Sequence, residues 1–288
     1  MQSLSNRKTL YISDLDGTLL NKSAELSEYT IKSLNDMIAK GLDFTVATAR
    51  TIASSGMILA GLDLRIPIVL MNGVLIYDIH KRRYDQINAL HPEIVAAITE
   101  ILEAFNTTGL MYELCNGELR TYYESLEQKP VRDFVEERKT LYNKPFRHTG
   151  SFSDISPEHI IYFTLIDTYE RLLPVHNALV SRPGLNMALY KDNYSPELWY
   201  LEMFSDKASK RNAVNYLRAT NSYESIVGFG DNLNDLPMFE ACDVRVAVET
   251  ANPAVRAAAD HICGANDSDG VVRWLENNVN KGPTNEPD

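Results

Sequence analysis

A short apolar run, Thr9-Leu10-Tyr11-Ile12-Ser13, stops abruptly at Asp14-Leu15-Asp16-Gly17-Thr18. Without polar alternation it reads as a strand buried on both faces, which needs a sheet covered on both sides. The following elements keep that pattern. Ser27 is placed to cap a helix whose apolar positions Ile31, Leu34, Met37 and Ile38 follow helical spacing, with Gly41 just past its end. Leu42 to Ala47 reads as a second strand, Thr51 to Leu59 as a helix, and Pro67 to Met71 as a third strand broken by Asn72-Gly73. Strand and helix in strict alternation imply an α/β fold with a parallel sheet.

The far end returns to the same order. Helices are predicted over Ala208 to Leu217, Leu233 to Ala241 and Gly270 to Asn277, and another from Asn252-Pro253. Ser225 to Phe229, Val244 to Val248 and His261 to Cys263 read as strands, and Asn280 to Asp288 as a polar, disordered tail. The middle is different. A helix opens at His91-Pro92, and Asn116-Gly117 between Leu110–Cys115 and Leu119–Tyr123 is a strong hairpin signal. Ile160 to Ile166 reads as a strand and Glu170 to Val180 as a helix. The organisation expected is a parallel-sheet core from 1–85 and 198–288, interrupted by an α+β insertion over 86–197.

Composition limits the partners. In 288 residues, 28 Lys+Arg oppose 39 Asp+Glu, a net charge of −11. No net positive field draws in nucleic acid or an anionic membrane surface. A phosphate-bearing substrate then needs a local cation. No apolar run approaches the ~20 residues of a membrane span, and Met1 to Lys8 is too polar for an export signal. Cys115, Cys242 and Cys263 are widely spaced and read as buried thiols in a reducing compartment. The expected location is cytoplasmic.

Two strings carry the chemistry. Asp14 and Asp16, at i and i+2, project from the same side of an extended backbone into the crevice beyond the strand's carboxyl end. Two such close carboxylates need a cation or a shared proton, although Asp and Gly are also ordinary turn formers. Gly228-Phe229-Gly230-Asp231-Asn232-Leu233-Asn234-Asp235 ends another strand. If both strands are central, Asp231, Asn234 and Asp235 join Asp14 at one edge, an oxygen-rich set suited to Mg²⁺. Taken alone, the second string also reads as an acidic helix start. Thr48 ends the second strand with a hydroxyl suited to a phosphate oxygen. Lys210 is a candidate cation, with Lys207 three residues earlier as its competitor.

In order, Asp14-x-Asp16-Gly17-Thr18, Thr48, Lys210 and Gly230-Asp231-x-x-Asn234-Asp235 resemble the four motifs of the haloacid dehalogenase superfamily, most nearly its Cof-type phosphatases. Asn72-Gly73 after the third strand and Asn266-Asp267-x-Asp269-Gly270 near the end also fit. The resemblance implies a Rossmann-like parallel-sheet core with an inserted α+β cap that decides substrate choice. It favours Lys210 over Lys207 and implies an aspartyl-phosphate mechanism with Asp14 as nucleophile and Asp16 as general acid and base. Mg²⁺ would be held by Asp14, the Asp16 carbonyl and Asp231, with Asn234 and Asp235 orienting the shell, and Thr48 and Lys210 would hold phosphoryl oxygens. Arg50, Asn72 and Gly73 are further candidates for substrate contact. Ala49 and Arg211 stand where the family usually has glycine. In the cap, Tyr112, Glu113, Arg120, Tyr122, Tyr123 and Tyr190 are candidates for binding a sugar or ring, set against ordinary packing.

The activity expected is Mg²⁺-dependent hydrolysis of a small phosphorylated metabolite, with sugar phosphates first. A phosphomutase of the same superfamily, which would require a bisphosphate activator, is the alternative within the resemblance. A phospho-acceptor signalling module is the alternative outside it; against it stand Asp16 and the insertion.

Overall fold

A computed structural model describes residues 7–192 and 195–279. The tail expected at 280–288 and the first six residues lie outside these. In chain order the elements begin β1 (Thr9–Ser13), α1 (Glu28–Ala39), β2 (Asp43–Val46), α2 (Ile52–Ile58), β3 (Ile68–Leu70), β4 (Leu75–Asp78) and β5 (Arg83–Ile87). There follow α3 (Pro92–Ala104), β6 (Leu110–Cys115), β7 (Glu118–Tyr123), α4 (Lys129–Tyr142), β8 (Arg147–His148), β9 (Ile160–Asp167) and α5 (Tyr169–Leu179). Next come β10 (Leu185–Lys191), β11 (Trp199–Ser205), α6 (Lys210–Asn221), β12 (Ser225–Gly230) and α7 (Leu236–Ala241). The chain closes with β13 (Val244–Val248), α8 (Pro253–Ala258), β14 (His261–Cys263) and α9 (Gly270–Val279).

The elements form two compact units. Among the described residues, the first contains those up to Thr48, Ile58–Val69 and those from Lys210 on, and the second contains Ala49–Met57 and those from Leu70 to Ser209. In the first, five parallel strands run in the order β14-β13-β12-β1-β2, and a parallel bridge joins Ala47 to Val69. β12 is buried along its whole length and β1 from Leu10 onward, as strands covered on both faces must be. Ser27 caps α1 by accepting from the Thr30 N–H at 2.9 Å, and Asn252 caps α8 through the Ala254 N–H.

The second unit carries a six-stranded sheet ordered β10-β11-β9-β6-β7-β8, antiparallel except where β7 meets β8. Alternation splits its faces. Met111, Phe163, Leu165, Leu201 and Met203 pack with Ile94, Ile98 and Leu102 of α3 and Leu172, Val175 and Leu179 of α5. Their strand neighbours Tyr112, Tyr162, Thr164 and Glu202 are also buried. β11, which follows the boundary expected at 197, pairs with both β9 and β10. The unit therefore runs on to Ser209. It also takes in Ala49–Met57 and the stretch from Leu70 onward, with the antiparallel β4–β5 pair. Two cysteines expected to be buried, Cys115 and Cys242, are only partly so, and all three thiols are free. Among the described residues no helix is long and apolar enough to cross a membrane.

Candidate active site

β1 and β12 are neighbours, with Ser13 in register with Phe229, and the Asp14 N–H donates to the Phe229 carbonyl at 2.9 Å. The condition that both motif strands be central is met, so their loops leave the same sheet edge. Asp14 is almost wholly buried. The chain then turns through Leu15–Leu19, closed by the Leu20 N–H on the Leu15 carbonyl at 2.9 Å. Asp16, in this turn, is partly exposed.

Lys210 opens α6. Its buried positions, Lys210, Ala213, Val214 and Leu217, form one stripe at helical spacing, so the lysine sits where an apolar residue is expected. Its Nζ lies 2.5 Å from Asp14 Oδ1 and 2.6 Å from Asp235 Oδ1. The competitor Lys207 is exposed.

The loop after β12 is held by Asp235, which is fully buried. Its Oδ2 accepts from the backbone N–H groups of Asp231 at 2.9 Å and Asn232 at 3.0 Å. The segment read as one helix from Leu233 starts instead as a tight turn, Leu233–Asp235, before α7. Asp231 is partly buried, and its Oδ1 accepts from the Thr18 hydroxyl at 3.0 Å. Asn234 is partly exposed on the turn.

Carboxylate oxygens of Asp14, Asp231 and Asp235 lie within 4.8 Å of one another. With all three ionised, Lys210 opposes them and leaves −3 + 1 = −2 in the cluster. Burial and the neighbouring Asp235 push the Asp14 carboxyl up to about 8 in spite of Lys210. Burial, Asp235 and Asp14 likewise raise Asp231 well above the carboxylate range. Burial works against the Lys210 ammonium, but the attraction of Asp14 and Asp235 outweighs it and raises its pKa. The donors fit a hard divalent cation. It would cancel the residual charge, and Mg²⁺ typically takes only one or two carboxylates. Asp14 and Asp231 suit that role better than Asp235, whose oxygens already serve Lys210 and the loop backbone.

Thr48 is buried in the first unit, and its N–H donates to the Val69 carbonyl at 3.0 Å. It follows Ala47, whose N–H reaches the Ser13 carbonyl, so it belongs to the same sheet edge as Asp14. Arg50, Asn72 and Gly73 belong to the second unit. There Arg50 Nη1 donates to the Tyr142 hydroxyl at 3.1 Å. The Asn72 amide donates to the Tyr162 hydroxyl at 2.9 Å and to Glu202 Oε2 at 2.5 Å. Of the cap candidates, Glu113 accepts from the Tyr122 hydroxyl and from Arg120, and Tyr112 is buried. Tyr190 stacks on Tyr200 with ring centroids 5.6 Å apart. Sequence reasoning missed Glu202 and Tyr162. A lone glutamate amid Leu201, Met203 and Phe204 was the available signal.

A family model for haloacid dehalogenase-like hydrolases matches residues 11–275. The chain belongs to that family. Among its relatives are a 5-amino-6-(5-phospho-D-ribitylamino)uracil phosphatase of Bacillus subtilis, 24% identical over 269 residues, covering 91% of this chain and 94% of the relative. A pyridoxal phosphate phosphatase of Escherichia coli is 23% identical over 277 residues, covering 91% and 95%. A haloacid dehalogenase-like hydrolase of Bacteroides thetaiotaomicron shares the fold with a TM-score of 0.78 at 23% identity, covering 94% of this chain and 99% of that one. This hydrolase therefore has a core-plus-cap architecture.

Proposed function

We propose that this hydrolase is a Mg²⁺-dependent phosphatase acting on small phosphorylated metabolites, sugar phosphates foremost, through an aspartyl-phosphate on Asp14. The observation that carries this reading is the buried Asp14 held by Lys210 at 2.5 Å beside Asp231 and Asp235. The named relatives, which act on phosphate esters of small metabolites, support the substrate class.

In this mechanism Asp14 attacks phosphorus, and the bond from phosphorus to the ester oxygen breaks. Asp16 gives its proton to the departing alkoxide and then takes one from the water that hydrolyses the aspartyl-phosphate. General acid–base help of this kind typically contributes ~10²–10⁴-fold. A bound Mg²⁺ supplies charge neutralisation between nucleophile and dianion. Lys210 and Thr48 hold equatorial phosphoryl oxygens, where transition-state charge accumulates. Asp231 belongs to the metal-holding set, and Asn234 and Asp235 keep its loop in place. Residues 86–197, extended at both ends to the second compact unit, act as the cap that selects the leaving group. Arg50, Asn72 and Gly73, which belong to that unit, are candidate substrate contacts. The setting is cytoplasmic, without nucleic-acid or membrane partners.

The test is phosphate release from a panel of sugar, nucleotide and cofactor phosphates, with and without Mg²⁺, in wild type and Asp14→Asn. Mg²⁺-dependent release that falls at least ~10³-fold in the variant is expected, as for loss of a nucleophile. No release from any ester by folded protein would overturn the reading.

A further inference from the structure

The second unit contains a cavity of about 480 Å³ that shares no residue with the carboxylate cluster. Its cations are Arg82, Arg83 and Lys144, and its lining holds no carboxylate. Tyr77 and Tyr84 form one wall, with ring centroids 5.0 Å apart, and Ile52, Ile87, Leu119 and Pro145 supply apolar surface. Arg83 is partly neutralised by Asp85 at 3.0 Å, which leaves Lys144 and Arg82 as the lining cations that no carboxylate pairs among the described residues.

Lys144 is the unusual member. It is only 6% exposed, and among the described residues no carboxylate pairs with its Nζ. Instead Nζ stands 4.7 Å from the centroid of Tyr112 and 4.9 Å from that of Phe146. Ring faces partly offset the loss of water around an ammonium, but a buried cation without an anion carries a net penalty. Burial, reinforced by Arg138, lowers its pKa to about 7. A site that holds a lysine in this state gains most from a ligand that brings negative charge. The tyrosine pair and aliphatic walls favour a flat apolar body attached to that charge.

We infer that this cavity is a binding site for a small anion carrying a planar ring, such as an aryl phosphate or aryl carboxylate, with Lys144 and Arg82 holding the anionic group and Tyr77 and Tyr84 packing on the ring. The cavity volume lies within the ordinary range for small-molecule sites. Nothing in the inference depends on hydrolysis at Asp14.

The probe is phenylphosphonate, whose carbon–phosphorus bond a phosphate-ester hydrolase does not cleave. Its binding is measured by calorimetry in EDTA to the full chain, to Arg82→Ala, to Lys144→Met and to Asp14→Asn. Inorganic phosphate and benzyl alcohol serve as the charge-only and ring-only controls. Binding to wild type and Asp14→Asn alike, at least ~10-fold tighter than either control and weakened at least ~5-fold by Arg82→Ala and by Lys144→Met, is the expected result. Arg82 is exposed, so its variant keeps the test decisive if Lys144→Met fails to fold. Unchanged binding in folded Arg82→Ala would overturn the inference. So would binding that Asp14→Asn changes ~5-fold or more in either direction, because loss of that carboxylate's repulsion acts on a phosphonate only if it occupies the phosphatase site.

Discussion

Lys144 makes the stability of the second unit depend on pH in a direction opposite to most lysines. Its ammonium titrates at about 7 in the folded chain, against an ordinary value of 10.5, because burial and then Arg138 disfavour the charge. At about 1.36 kcal/mol per decade, the folded state bears a penalty of roughly 5 kcal/mol below pH 7, where both states hold the proton. Above pH 7 the folded lysine has lost its proton while the unfolded one keeps it, so stability rises until about pH 10.5. From pH 7 to 9 the rise attributable to this one group is roughly 2 kcal/mol. Other titrations overlap this window, so the informative quantity is the difference between wild type and Lys144→Met. The chain has two tryptophans, Trp199 and Trp274. In a Trp274→Phe background the fluorescence of Trp199 reports urea unfolding of the unit that contains Lys144. The wild type should gain on the Met variant by roughly 2 kcal/mol between pH 7 and 9. A difference that stays constant across that window would refute the assignment of a depressed pKa to Lys144.

Two further outcomes test the packing of Gly73 against Ser209 and the carboxylate cluster. Gly73 has φ +94, and a Cβ there would lie 2.3 Å from the Ser209 carbonyl oxygen. Gly73→Ala should therefore cost at least ~2 kcal/mol in the same unfolding assay, from the left-handed backbone and the clash together; a loss below ~0.5 kcal/mol would show that the two segments are not in contact. Lys210→Met leaves Asp14 and Asp235 buried without their shared cation. It should lose ~3–5 kcal/mol at pH 7, and adding Asp235→Asn should recover part of that stability without recovering phosphate release. Recovery of activity by the double variant would show that Lys210 acts only through the fold.

What the sequence discloses follows from where the driving force lies. The strands Thr9–Ser13, Val244–Val248 and His261–Cys263 come out with the predicted boundaries, because short runs flanked by polar turns have few alternative placements. Asn116-Gly117 likewise joins β6 to β7 as predicted. The missed elements lack such local signals. In α4 only Val131 and Val135 are buried, and polar and charged side chains fill most of its fourteen residues, so few apolar positions mark the helix. In β11 the buried Glu202 breaks an apolar run, and its explanation is tertiary: the amide of Asn72, 130 positions away, is its partner. Lys144 was illegible for the same reason, since the rings of Tyr112 in β6 and of Phe146 just after α4 pack against its ammonium. Lys210 was more legible than it looked. Its place at the head of the stripe continued by Ala213, Val214 and Leu217 distinguishes it from Lys207 without reference to any family.

The second acidic motif shows why spacing carries information that composition does not. Asp235 is four residues after Asp231, and one of its oxygens gathers the N–H groups of Asp231 and Asn232 while the other meets Lys210. That curls the loop tightly enough that a Cβ on Gly230 would fall 2.7 Å from Asp235 Cβ, so the glycine is a condition of the aspartate's position. The backbone is further pinned by the Asn252 N–H on the Asp231 carbonyl at 2.8 Å. Asp231 is thereby aimed at Thr18 and the Asp14 edge by groups that need not touch a substrate. Two carboxylates of one motif thus differ in what they hold: Asp235 fixes the loop and meets the lysine, and Asp231 accepts from Thr18 with a carboxylate oxygen within 4.8 Å of those of Asp14 and Asp235. A neutral Asn at 235 would keep one acceptor oxygen but weaken the hold on Lys210, so charge as well as shape is required at that position.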